Sequence, residues 1–252
     1  MRNASIILVI FCLSGIFSNC GGIKEDKEGR FIQEIIDKNK AKIIFDDANI
    51  EMIYMHAVKK SPAEYIKIKI PAGTVLSPSL DTFQNMLCYE NIEVTCFGSV
   101  GIEIPVICIN LHKKVPEGSL SFTFKDRSDN PEINDFIKNL SEIDIDELFN
   151  FAEESVNHKE VIQAAGWIIS DDANYDELGT FSRGGIFSDF DPMFRRVLDE
   201  VDTAQALILL RACGIEIRSK IIWKDRLVIY ENIYEEYPET KSAFKNLIEE
   251  LI

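Results

Sequence analysis

The residues of this 252-residue chain most able to do chemistry are six cysteines and three histidines, and their spacing limits what that chemistry could be. His56, His112 and His158 are scattered and no C-x-x-C pair occurs, so a structural zinc site has no ligand spacing to support it. Cys12 falls in an apolar run near the N-terminus and Cys20 shortly after it, which leaves Cys88, Cys96, Cys108 and Cys213. In an oxidising compartment four thiols allow three complete pairings, among which sequence does not choose. Cys88 and Cys96 flank Tyr89 to Thr95, a stretch that reads as a hairpin and would make these two a candidate disulfide. There is no G-x-S-x-G elbow, phosphate-binding glycine loop or H-E-x-x-H. Without a visible pair of nucleophile and base, no catalytic residue, metal ligand or cofactor is assigned and an enzyme is the least favoured class. The run Asp171-Asp172-Ala173-Asn174-Tyr175-Asp176-Glu177 offers oxygen ligands but lacks EF-hand spacing and its central glycine. It reads as a solvated acidic loop after a helix.

Two segments carry a more specific pattern. Val106-Ile107-Cys108-Ile109-Asn110 sets a cysteine within an apolar run, and Val161-Ile162-Gln163-Ala164-Ala165-Gly166-Trp167-Ile168 sets a glutamine before small residues and a tryptophan. Together they resemble the two short motifs of bacterial thioester domains, adhesin modules of Gram-positive cell surfaces. Ile107 stands where that family has an aromatic residue or Leu, and Gly166 interrupts its Ile-Trp pair. The resemblance implies that Cys108 is the thiol and Gln163 the acyl donor of an internal thioester, 55 residues apart on different elements. A thiolate held against a carboxamide carbon can expel ammonia and leave an internal thioester, because contact replaces a bimolecular encounter by an internal step. The thioester is an electrophile that an apolar setting keeps from water, until a lysine amine of a host or envelope protein attacks it and forms an isopeptide bond. The competing reading is a non-covalent binding or structural protein in which Cys108 is a small buried hydrophobe.

The N-terminus speaks to location. Met1-Arg2-Asn3, the apolar run Ile6 to Leu13 and small or polar residues up to Cys20 form the three parts of a signal peptide. The apolar core is too short for an ordinary membrane span of roughly twenty residues. Phe17-Ser18-Asn19-Cys20 resembles the lipobox of bacterial lipoproteins in the relaxed form found in spirochaetes, which implies acylation of Cys20. The expected partner is thus a membrane, held through lipid on Cys20. The expected location is the cell envelope, on the outer membrane, facing the periplasm or the cell surface.

Composition narrows the partners. The formal net charge is −15, and removing a signal that contains only Arg2 as a charged residue makes it −16. A polyanion like this is expected to be repelled by nucleic acid and by anionic lipid, and with no basic stripe to interrupt it a nucleic-acid partner is excluded.

The elements that must position these residues follow from periodicity. Short β-branched runs, Lys42 to Phe45, Tyr65 to Ile70, Ile92 to Thr95, Ile104 to Ile109 and Leu120 to Phe124, alternate with breakers at Pro71-Ala72-Gly73, Pro78 and Pro116-Glu117-Gly118. After them the period changes: Ile143 to Glu154 has helical spacing, Lys159 to Ile169 is apolar on nearly every side, and Asp191-Pro192 opens a helix that Gly214 stops. Tyr237-Pro238 begins a last helix. Met52, Met55, Trp167 and Trp223 are expected in the core or at its rim, and Ser182-Arg183-Gly184-Gly185 as a connecting loop. The predicted fold class is α+β, an N-terminal antiparallel β-sandwich or barrel-like half followed by a helical half. The expected division is a lipoprotein signal peptide at 1–19, a lipidated flexible tether at 20–40 and one α+β ectodomain at 41–252, β-rich over 41–125 and mainly helical over 131–252. A transporter's substrate-binding lipoprotein would need repeated strand-helix alternation that this pattern lacks.

Overall fold

A computed structural model of the chain describes residues 29–62, 65–152, 156–180 and 198–252. The signal segment, Cys20, the loop at Ser182-Arg183-Gly184-Gly185 and the expected helix start at Asp191-Pro192 lie outside the described residues. The fold is α+β, with a curled antiparallel half-barrel followed by helices. Its larger sheet has the order β2(Ala41–Ala48), β3(Met52–Lys59), β8(Ser99–Ile109), β6(Asn85–Cys88), β5(Val75–Pro78), β9(Phe122–Lys125). A smaller sheet orders β1(Arg30–Phe31), β4(Ile66–Ile70) and β7(Ile92–Cys96), with β1 parallel to β4. Alternation fits burial: in β4, Ile66, Ile68 and Ile70 are buried while Lys67 and Lys69 are partly exposed.

The eleven-residue β8 is the axis on which the site is built. From Ser99 to Pro105 it pairs with β3, and from Val106 to Ile109 with β6 on its other edge. Pro105, which has no N–H to offer, stands at the changeover. Beyond it the β3 edge is bare of strand, because β3 pairs with β8 no further than Met52.

Helices close the other half. α4(His158–Asp171) packs between β8 and α6(Glu200–Ala212), and Val161, Ala164, Ala165, Trp167 and Ile168 are each completely buried. Periodicity that is apolar all round produced a central helix, as expected for such a pattern. α2(Pro131–Leu140) is capped by Asn130 with Pro131 in its first turn, and α8(Pro238–Leu251) buries Phe244, Leu247 and Ile248. Among the described residues there are also the short helices α1(Ile32–Asp37), α3(Ile145–Leu148), α5(Tyr175–Thr180) and α7(Arg226–Asn232). No helix among the described residues is long and apolar enough to cross a membrane.

Several boundaries need correction. The tether expected to reach residue 40 ends sooner, since β1 begins at Arg30 and α1 buries Ile32 and Ile35 completely. Pro78 does not interrupt a strand: it ends β5 opposite Phe122. The helix expected from Asp191 begins at Glu200, where Asp199 accepts from the N–H groups of Val201 and Asp202, and Asp202 accepts from that of Asp199. Gly214, at φ +76°, ends it as expected. Of the helix expected over Ile143 to Glu154, only Ile145–Leu148 forms within the described residues. Cys88 and Cys96 are free thiols, because β6 and β7 belong to different sheets rather than to one hairpin. The Cys88 Sγ donates to Glu90 O at 3.1 Å and the Cys96 Sγ to Ala57 O at 3.4 Å.

Candidate functional site

At the bare edge of β8 stand three alternate N–H groups. The first of the three, on Val106, does not meet α4 but donates to the last carbonyl before β3, Glu51 O, at 3.0 Å, and the other two are met by side chains of α4. The second, on Cys108, donates to the side-chain Oε1 of Gln163 at 2.8 Å, and Gln163 Nε2 returns a hydrogen bond to Cys108 O at 2.9 Å. The third, on Asn110, donates to Asp171 Oδ2 at 3.2 Å. Side chains from the second and last turns of α4 therefore finish an edge that has run out of strand. Such partners are needed, since a buried main-chain group left unpaired costs about 1–3 kcal/mol.

The two sequence motifs thus meet. Cys108 is fully buried and Gln163 is 5% exposed. Since the N–H and C=O of Cys108 both point to the bare edge, its Cα–H faces β6, where Met86 is directly opposite. The Cys108 Sγ lies against Met86 Sδ at 3.4 Å. Burial drives the Cys108 thiol above its ordinary range, so the resting group is the neutral thiol.

The two departures from the family pattern pack against each other. A Cβ on Gly166 would come within 2.6 Å of Ile107 Cδ1. Gly166 is the residue at which α4 approaches β8 closely, and Ile107 is the side chain occupying the space a larger residue there would need. Trp167, fully buried, is fixed by donating from Nε1 to Gln84 Oε1 at 3.3 Å. Gln84, itself completely buried, donates to Leu111 O and Lys113 O. Sequence reading missed this second glutamine, for which no motif signals; its only sign is a polar residue placed just before the apolar run Met86-Leu87-Cys88.

Gln163 and Trp167 also line a narrow cleft with Ile107, Tyr89, Glu51 and Lys159. It holds about 30 Å³ for water-sized contents, room for one or two waters on the scale of roughly 10–15 Å³ each. At its mouth Lys159 Nζ meets Glu51 Oε2 at 2.9 Å, and that hydrogen bond holds the ammonium charge on Lys159. Tyr89 is pushed up to about 12, by burial first and by Glu90 and Glu51 next. Gln163 lines this cleft and Cys108 does not.

The acidic run after α4 is not a solvated loop. Ala173 and Tyr175 are buried, Asp171 accepts from Asn110, and Asp172 Oδ1 accepts from Ile221 N at 2.9 Å. The tyrosine hydroxyl donates to Glu200 Oε1. These carboxylates tie α4 to its neighbours and are spent on structure. Comparison with models of known families, with curated proteins and with solved structures finds no match.

Proposed function

We propose that this chain is a membrane-anchored surface lipoprotein whose domain forms a Cys108–Gln163 thioester and attaches covalently to amines of a partner protein. The observation that supports it is the pair of hydrogen bonds between the Gln163 carboxamide and the main chain of Cys108. They hold the acyl carbon at the residue that bears the thiol, and they polarise it: the Cys108 N–H on Oε1 is already placed to stabilise the oxyanion of a tetrahedral intermediate.

The step balances within the site. The thiol leaves Met86 Sδ by rotation about χ1; the staggered position opposite Hα lies over the bare edge, beside the carboxamide. Sulfur adds to the Gln163 carbonyl carbon, the C–N bond breaks, and the thiol proton leaves with Nε2 as ammonia. Because the thiolate is the nucleophile, the buried neutral thiol passes its proton to Nε2 as sulfur adds, and that proton leaves with the ammonia. Attack by a partner's lysine amine from the cleft then forms the amide, breaks the C–S bond and returns a proton to Cys108. Methylamine should convert Gln163 to its methylamide and free one thiol; peptide mapping that finds Gln163 unmodified and Cys108 alkylated before treatment sinks this reading. The anchor is checked separately by incorporation of labelled palmitate, expected to vanish in Cys20→Ser.

One observation favours a second reading, a non-covalent binding or structural envelope lipoprotein. The carboxamide uses both heteroatoms as a strand would, and the thiol already has a partner in Met86. Under this reading Gln163→Ala leaves partner attachment unchanged in any fraction that remains folded.

A further inference from the structure

The end of the molecule where the described chain begins carries an unusual set of side chains. Arg30 lies opposite Ile68 in parallel register, so the chain arrives at β1 from the Tyr65–Ile66 end of β4. There the turn between β7 and β8 lifts Phe97, 73% exposed, with its ring 5.7 Å from that of Tyr65. Beside it Lys40, Lys59 and Lys60 line a pocket with Asn39, Ser61 and Ile66. The two features are joined through main chain: Lys59 N donates to Gly98 O at 2.8 Å, and Lys60 N to Lys40 O at 3.0 Å. Neutral oxygens receive two of the ammonium groups, Lys60 on Asn39 Oδ1 and Lys59 on Pro62 O, so these contacts leave the charge uncompensated. The carboxylates of nearby α1 are engaged elsewhere, Glu34 with Lys38 and Asp37 with Gln33.

We infer that this end is a docking face for an anionic bilayer, with lysines 40, 59 and 60 on phospholipid headgroups and Phe97 at the boundary of headgroups and acyl chains. The −16 charge of the chain without its signal, which led to the expectation of repulsion from anionic lipid, acts weakly here, because at physiological salt charges beyond about 8 Å are largely screened and the local lysines decide. Exposed aromatic rings beside lysines suit the interface, where the ring leaves water and the ammonium stays in it. Eight residues lie between Cys20 and Gly29, a reach of at most about 30 Å of chain, so a lipid there keeps this end near the membrane. The inference rests on the membrane-anchored part of the proposed function and not on the thioester.

The test uses unlipidated protein, residues 20–252 with Cys20→Ser, sedimented with vesicles of phosphatidylglycerol and phosphatidylcholine or of phosphatidylcholine alone. Binding to the anionic vesicles only is expected. Lys59→Ala with Lys60→Ala should weaken it about 25-fold, at about fivefold per lysine, and Phe97→Ser about tenfold, with unchanged circular dichroism. Equal affinity for both vesicles, no binding to either, or anionic binding that the substitutions leave intact overturns the docking face. So does displacement by millimolar inorganic phosphate, which would make the pocket a site for free anions. Loss of palmitate labelling and loss of vesicle binding are read on different proteins, so failure of the anchor and failure of the face are distinguishable.

Discussion

Gln163 takes the place of a missing strand beside Cys108: its carboxamide accepts from one main-chain group of that residue at 2.8 Å and donates to the other at 2.9 Å. This relationship links a helix to a strand across 55 residues and does so in a buried setting. It makes the glutamine structural whether or not bond formation follows.

Removing that side chain is therefore expected to destabilise the fold. Gln163→Ala orphans a buried N–H and C=O at about 1–3 kcal/mol each, so a loss of about 2–4 kcal/mol is expected in urea denaturation once water from the cleft relieves part of it. Gln163→Glu adds a diagnostic pH dependence. A carboxylate can accept from Cys108 N–H but repels Cys108 C=O, whereas the protonated acid can also donate to it. The introduced carboxyl thus has a folded pKa above its unfolded value near 4.3. Its stability deficit should be large at pH 7 and shrink as pH falls toward 4. A Gln163→Ala variant within 0.5 kcal/mol of the parent, on the order of measurement scatter, contradicts the edge-capping role.

Ile107 and Gly166 should behave as one packing unit. Gly166→Ala gains about 1 kcal/mol of helix propensity but drives a methyl to 2.6 Å from Ile107 Cδ1, an overpacking usually costing about 1–3 kcal/mol. Net destabilisation of up to about 2 kcal/mol is expected in the parent. Ile107→Val removes the clashing methyl at its own cost of about 0.5–1.5 kcal/mol, and Gly166→Ala in that background should stabilise. Additive effects in the double-mutant cycle would show that the close approach is not constrained by this pair.

The start of α6 predicts a pH effect of the opposite origin to an ordinary salt bridge. Burial first, and then the neighbouring Asp199 with Glu160, push Asp202 up to about 8. Its folded pKa lies above the unfolded value near 3.9, so the folded state binds more protons between those limits. Stability from this group is fully present below about pH 4 and is lost as pH rises toward 8. Asp202→Asn keeps an oxygen for Asp199 N–H and removes the charge. It should raise the melting temperature at pH 8 by about 2–4 °C per kcal/mol recovered, with little change at pH 4. An equal shift at both values would place the effect elsewhere.

Much of the architecture was legible because pattern and burial agree. Ile66, Ile68 and Ile70 alternate with lysines, and the run from Val161 to Ile169 left no polar face for solvent. Pro238 and Gly214 marked helix ends by the conformations they impose. Strands β3, β5 and β6 escaped, since Met52, Met55 and Met86 are not β-branched and breakers crowd the short runs around Val75 and Asn85. β3 does carry a local pattern, with Ile53, Met55 and Ala57 buried in alternation, while the four-residue β5 and β6 are made strands by packing more than by local pattern. The Asp171 run looked solvated because its carboxylates find their partners far along the chain, at Asn110 and Ile221. Cys108 and Gln163 were visible only through motif resemblance; the bare edge that brings them together depends on where β3 stops, which no local rule supplies.

The most direct test of the central claim is the intact mass of residues 20–252 with Cys20→Ser, thiols blocked after unfolding, beside the same protein with Cys108→Ala. The thioester predicts a parent one ammonia lighter than its sequence, with three of its four thiols blocked, and a Cys108→Ala protein at full mass. A parent at full sequence mass with all four thiols blocked, Cys108 among them, contradicts it.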